Sequence, residues 1–312
     1  MAPKKSPKQP QKPRSNNNKY KKSTTAAKDE QEHAEAKVPE KRKRSHTPPA
    51  SDASLKALLT FLINETPSKY GAGLDAKQPN LFDLMTVSPQ YTPFQNLVAA
   101  AVMSKPFSSR LGVRTLLTIF GGSKEGESGI DFTTPAKLRD AGEPGRYEAL
   151  SKARTQHKDK TALQLGKLAD TIIEEYANDE DDTSLEKMHQ KLKEDASNLH
   201  SIIKELYMFG DMSAEIFARR IQAAWPEVYP FADDRALKAA GYFGLPDDSA
   251  SALAERVKQL LPTDNEEETR KQFATVVEAL AAADLEHRYE DLTEVMEGAV
   301  DGEPAEKKEK LE

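Results

Sequence analysis

Apolar residues recur along this chain at intervals of three and four, which places them on one face of an α-helix. The first stripe is Leu55, Leu58, Leu59 and Leu62, and ordered structure begins near Ser51. Thr66 to Asn80, with two glycines and two prolines, reads as a loop. Thr92-Pro93-Phe94-Gln95 is a helix start: Thr92 caps, Pro93 takes the first helical position and Gln95 reaches back. Phe94, Leu97, Val98, Ala101 and Val102 then face the core, and Lys105-Pro106 ends the helix. Ser108 or Ser109 caps the next, with Leu111, Leu116, Ile119 and Phe120 buried and Gly121-Gly122 closing it. Lys124 to Asp131 is a polar loop, Thr134-Pro135 opens a short helix through Leu138, and Gly142 to Gly145 turns the chain. A longer helix carries Leu163, Leu168, Ile172 and Ile173. Thr183 and Glu186 are spaced as a capping box for the helix that follows. No stretch alternates apolar and polar residues over a strand's length, so the pattern predicts an all-α fold.

The stretch from Asn198 to Leu245 organises the rest. Leu199, Ile202, Ile203 and Leu206 form one helical face, and Gly210 is expected to supply the positive φ of a turn. Ala214, Phe217, Ile221 and Trp225 form a second face, which Pro226 stops. Tyr229-Pro230-Phe231 crosses to Asp233 and Asp234, which open a helix ended by Gly244 and Pro246. Beyond it, Leu253, Val257, Leu260 and Leu261 mark a helix that Pro262 breaks. Glu266 to Leu285 is read as a terminal brace, and a charged tail begins near Glu297.

Composition changes this picture at the ends. Residues 1–50 hold 14 Lys/Arg against 5 Asp/Glu, a charge of +9, while the remainder holds 31 against 46, a charge of −15. The first segment is rich in Lys, Pro, Ser, Asn and Gln and holds almost nothing to bury, so it is expected to be disordered. Lys41-Arg42-Lys43-Arg44 reads as a nuclear-localisation signal or a phosphate-binding patch, and equally suits a solubilising tail. With 0 cysteines and no close histidine pair, neither a disulfide nor a zinc or iron–sulfur site is expected. No apolar run is long enough to span a bilayer, and no secretory signal stands at the N-terminus. Asn178 to Asp182 lacks the ligand spacing of a calcium loop.

Leu206-Tyr-Met-Phe-Gly210-Asp-Met-Ser-Ala214, followed by Pro230-Phe-Ala-Asp-Asp234, resembles the helix-hairpin-helix and following aspartate of base-excision DNA glycosylases. The endonuclease III and alkyladenine-type enzymes belong to that superfamily. The Gly-Asp turn and the Trp-Pro…Pro-Phe…Asp crossing are similar to those of a fungal and bacterial group within it that lacks the catalytic lysine. The resemblance spans about Leu55 to Leu261. It implies a two-lobed helical body with the hairpin between the lobes, a hairpin that grips a DNA phosphate, and an aspartate that assists cleavage of the base–sugar bond. The division expected is a basic tail over 1–50, the glycosylase-like domain over 51–262, a C-terminal helix over 263–296 and a charged tail over 297–312.

The chemistry follows from the residue types. A helix start presents unpaired N–H groups and partial positive charge, which suits a phosphate. Gly210, Met212, Ser213 and Ala214 are the candidates, with Asp211 at the N-cap. The superfamily's turn carries a glycine two residues before Gly210, where Met208 stands. Lys152, Arg154, Lys158 and Lys160 cluster before a helix, where cations oppose its dipole, which suits a phosphate partner better than a stabilising role, and they suit a plain solvated turn equally well. Met212 occupies the position of the nucleophilic lysine of bifunctional enzymes and has no amine to offer. The expected activity is therefore monofunctional, through the carboxylate of Asp233 or Asp234, without strand cleavage, cofactor or metal. Both acids also suit as plain helix caps. The expectation is a nuclear, monomeric, DNA-binding glycosylase-like protein, or a catalytically inactive relative that binds DNA or chromatin as a scaffold.

Overall fold

The computed structural model describes residues 50–64, 91–120 and 130–298. Among the described residues there are thirteen α-helices and no strand. They are α1 (Asp52–Asn64), α2 (Pro93–Met103), α3 (Ser109–Phe120), α4 (Pro135–Asp140), α5 (Gly142–Lys152), α6 (Lys158–Thr171) and α7 (Glu186–Glu194). After them come α8 (Leu199–Glu205), α9 (Asp211–Ile221), α10 (Asp234–Tyr242), α11 (Ala250–Leu260), α12 (Glu266–Glu286) and α13 (Tyr289–Gly298). The expected all-α class holds, and the described residues belong to one unit.

Two helices are buried almost all round, and α9 packs against both. In α2, Phe94 and the run from Asn96 to Val102 are buried. Its start is a complete capping box: the Gln95 amide donates to Thr92 Oγ1 at 3.2 Å, and the Thr92 amide donates to Gln95 Oε1 at 3.0 Å. In α12, every residue from Phe273 to Asp284 is buried. It lies against α1, α9, α10 and α11, so it is a core element and not a terminal brace. Ala279, Ala281, Ala282 and Ala283 leave room for close neighbours on every side. A helix apolar all round shows no stripe, so its spacing carries no sign of its central place.

Three further expectations change. The capping box at Thr183 and Glu186 does not form: Leu185 is the N-cap residue at φ 54°, and the Thr183 carbonyl accepts from the Phe94 amide at 3.0 Å. That helix, α7, also stops at Glu194, and a 3-10 turn over Ala196–Asn198 separates it from α8. Gly142 to Gly145 begins α5, with Gly142 at φ +62°. The reason is long-range: buried Arg146 donates to the carbonyls of Leu138, Arg139 and Ala162 at 2.8, 3.1 and 3.0 Å, tying α5 to α4 and α6. Finally, the single C-terminal helix expected over 263–296 is two, α12 and α13; α13 buries Leu292 and Met296, packs on α1 and runs on through Gly298, just into the expected tail.

Candidate functional site

The hairpin forms as spaced, with α8, a turn over residues 206–210, and α9. Its positive φ lies elsewhere than expected. Gly210 is extended, at φ −142° and ψ −168°, and Met208 takes the left-handed conformation at φ +61°. A side chain at Gly210 would meet nothing within 4 Å, so neither conformation nor crowding calls for glycine there. The left-handed residue of this turn therefore bears a side chain, Met208.

Gly210 is the N-cap of α9, and Asp211 is its first residue, not its cap. The Ala214 amide is already committed to the Gly210 carbonyl at 3.0 Å, which removes it from the candidate phosphate donors. Asp211, Met212 and Ser213 carry the amides of the first turn, which have no partner inside the helix. The Asp211 carboxylate instead takes Lys204 at 2.7 Å, and that hydrogen bond holds its carboxyl below the usual range. Around the apex Tyr207, Met208 and Met212 are 47%, 44% and 52% exposed, an unusual display of large apolar groups.

The turn is fastened from one side. Gln164, buried in α6, donates from Nε2 to the carbonyls of Tyr207 and Met208 at 3.3 and 3.1 Å. The same helix begins with the cationic cluster. Lys152, Arg154 and Lys160 are exposed and Lys158 is half-buried. Lys152 pairs with Glu148 at 3.2 Å, and Lys158 lies 5.2 Å above the Tyr147 ring. Arg154 and Lys160 have no ion pair among the described residues. The connection between α5 and α6 is tight, with Arg154 and His157 both left-handed. Arg114 pins it by donating to the Ala153 carbonyl at 2.8 Å, and Thr115 and Thr155 share a hydrogen bond of 2.7 Å.

The two aspartates part company. The crossing before them is held because Gln222 bonds both the amide and the carbonyl of Phe231, each at 2.9 Å. Asp233 then caps α10: its Oδ1 accepts from the Ala236 amide at 3.0 Å. Its Oδ2 accepts from Arg219, and the residue is buried. Asp234 is exposed at the first position of α10, with no hydrogen bond or ion pair from its side chain among the described residues. Behind Asp233 lies a buried network. Arg219 and Arg220 each donate to Glu278 of α12 at 2.9 Å, and Arg220 also reaches Asn96 Oδ1 of α2 at 3.0 Å. Burial opposes the charge on Glu278, but the two guanidinium groups outweigh it and hold its carboxyl below the usual range. Burial likewise opposes the charge on Arg219, and Glu278 and Asp233 reverse that effect.

Glu215 and His200 stand beside these aspartates without any motif in the sequence to mark them. Burial first, and then the charge of Asp233, raises the Glu215 carboxyl, with Asp234 adding to the rise and Arg219 and His200 opposing it. The His200 ring lies 6.0 Å from that of Phe231. The spacing of Asp211, Glu215 and Arg219, one helical turn apart, was the available signal. The Lys41-Arg42-Lys43-Arg44 cluster lies outside the described residues. Among the described residues no group of three His, Cys, Asp or Glu side chains is arranged to hold a metal ion. No helix among them is long and apolar enough to cross a membrane. No family model matches the chain, and neither a curated protein nor a solved structure matches it.

Proposed function

We propose that the protein is a DNA-binding, monofunctional base-excision glycosylase-like protein, built as two helical lobes about the hairpin, in which Asp234 is the working carboxylate. The observation that carries the reading is the Gln164 junction, which ties the helix bearing Lys158 and Lys160 to the hairpin turn. It joins a source of positive charge to a helix start with free amides, the two elements that hold a phosphate. Asp234 is the acid open to an incoming sugar, where a carboxylate stabilises developing positive charge or activates water. Asp233 is left as cap and ion-pair partner. Met212 supplies no amine, so no Schiff base forms and strand cleavage is absent. The segment at Lys41 to Arg44 adds phosphate contacts and directs the protein to the nucleus.

A base-release assay over a panel of damaged duplexes tests this. Asp234→Asn is expected to abolish base release while leaving folding and DNA affinity unchanged. Asp233→Asn is expected to cost about 1.5–3 kcal/mol of stability, the scale of a hydrogen bond to a charged group. Borohydride is expected to trap no covalent complex. Full excision by the Asp234→Asn variant would sink the assignment.

A second reading, a catalytically inactive DNA-binding or scaffold protein of the same fold, is favoured by two observations. Asp233 has both oxygens engaged, and the Asp211 carboxylate stands at the helix start a phosphate would approach. Duplex binding without base release from any substrate would select it.

A further inference from the structure

We propose that the cleft between the Pro226–Pro230 crossing, α11 and the start of α12 is a binding site for a small organic anion, one with a carboxylate or phosphate group and a planar apolar body. The cleft encloses about 490 Å³, the size range of small-ligand pockets. It shares no residue with the phosphate-binding elements of the hairpin, and the inference does not depend on the DNA reading.

Its apolar wall is Pro226, Tyr229, Pro230 and Ala254. The Tyr229 ring is braced edge-on by Phe273, with centroids 5.5 Å apart and planes at 86°. A stiff aromatic flanked by prolines offers contact area at little entropic cost. Two cations face this wall, Lys258 from α11 and Arg270 from α12. Neither has an ion pair among the described residues.

Arg270 is the sharper signal. Its Nε is buried without a hydrogen-bond partner. Glu266 stands one helical turn before it and lines the same cleft, yet the two do not pair, while Lys271 and Glu267 in the next register do, at 2.6 Å. A buried charged donor with no acceptor is rare in a folded protein and costs stability. The Nε itself is too enclosed for a ligand to touch; the terminal nitrogens of the same guanidinium, which make no hydrogen bond among the described residues, are the donors that a carboxylate or phosphate in the cleft takes. Tyr229 lies close enough to feel both charges of the cleft: burial raises its hydroxyl, Glu255 raises it further, and Arg270 opposes them. Glu255 and Glu266 set the selectivity, since their charge repels a bare polyanion and tolerates a ligand carrying one anionic group and a neutral body.

The test is calorimetric and NMR titration of the full chain with benzoate and phenyl phosphate, and with Ala-Ala-Phe bearing a free C-terminal carboxylate. Benzamide and amidated Ala-Ala-Phe are the uncharged controls. Saturable binding of at least one anion is expected, with Tyr229 ring resonances shifting and the uncharged controls silent. Binding by benzoate or phenyl phosphate points to a free small molecule, and binding by the tripeptide alone points to a chain terminus. Arg270→Gln is expected to weaken binding about tenfold or more, the effect of losing a charge-assisted contact. Lys258→Gln, at an exposed position that leaves folding untouched, is expected to weaken it about threefold. Absence of saturable binding by all three anions overturns the proposal, as does an Arg270→Gln variant that folds and binds with unchanged affinity.

Discussion

The two ends of α9 do opposite things with the same secondary structure. Its last turns bury Arg219 and Arg220, which lock α2, α10 and α12 together through Asn96, Asp233 and Glu278. Its first turn leaves amides free, carries exposed Met212 and follows a left-handed Met208. One end has every charge answered from inside the protein, and the other has groups answered by nothing inside it. A helix thus places a fully paired end and an end with free amides a little over two turns apart. The same contrast repeats at the start of α10, where Asp233 is consumed by the network and Asp234, one residue on, is free.

The largest effect is expected at the buried end. Glu278→Gln leaves Arg220 without its carboxylate and weakens the grip on Arg219, and removing one partner of a buried ion pair costs about 3–5 kcal/mol. Urea unfolding measures this, and a loss below about 1 kcal/mol would remove the network from its structural role. The depressed Glu278 carboxyl also sets a sign with pH. Its contribution is complete above the ordinary glutamate value of 4.5 and is lost as pH falls through the lower folded value. Acid unfolding of the Gln variant lacks that component.

A smaller effect of opposite sign is expected at the exposed end. A side chain in the left-handed region costs about 1–2 kcal/mol, and glycine returns part of that relief as chain entropy. Met208→Gly should therefore stabilise the protein by about 0.5–1 kcal/mol in thermal or urea unfolding. A loss of stability would show that the Met208 side chain makes contacts that outweigh its strain.

The smallest effect sits between the two ends. Burial and Asp233 raise the folded pKa of Glu215, so the wild type loses stability as pH rises from 4.5 through that folded value. Glu215→Gln is expected to be more stable than the wild type at pH 7 and equal to it below pH 4. Equal melting temperatures at both pH values would place Glu215 outside the acidic cluster.

Local chemistry was readable directly. The Thr92–Gln95 capping box and the two faces of the hairpin follow from short spacings, because each is settled by groups within one or two turns of chain; the arrest expected at Pro226 comes earlier, since α9 ends at Ile221 and Trp225 lies beyond it. What escaped was decided at a distance. The spacing of Thr183 and Glu186 fitted a capping box, but the Thr183 carbonyl was taken by α2. Helix α5 depends on Arg146 finding carbonyls on α4 and α6. The alanine-rich α12 carried no stripe and so gave no sign of its central place. At the site, spacing along the chain sufficed for an all-α body with a hairpin and a pair of aspartates at a helix start. Which aspartate is free depends on contacts made from another helix. Two adjacent carboxylates on one backbone are chemically alike until burial and an arginine from another helix claim one of them.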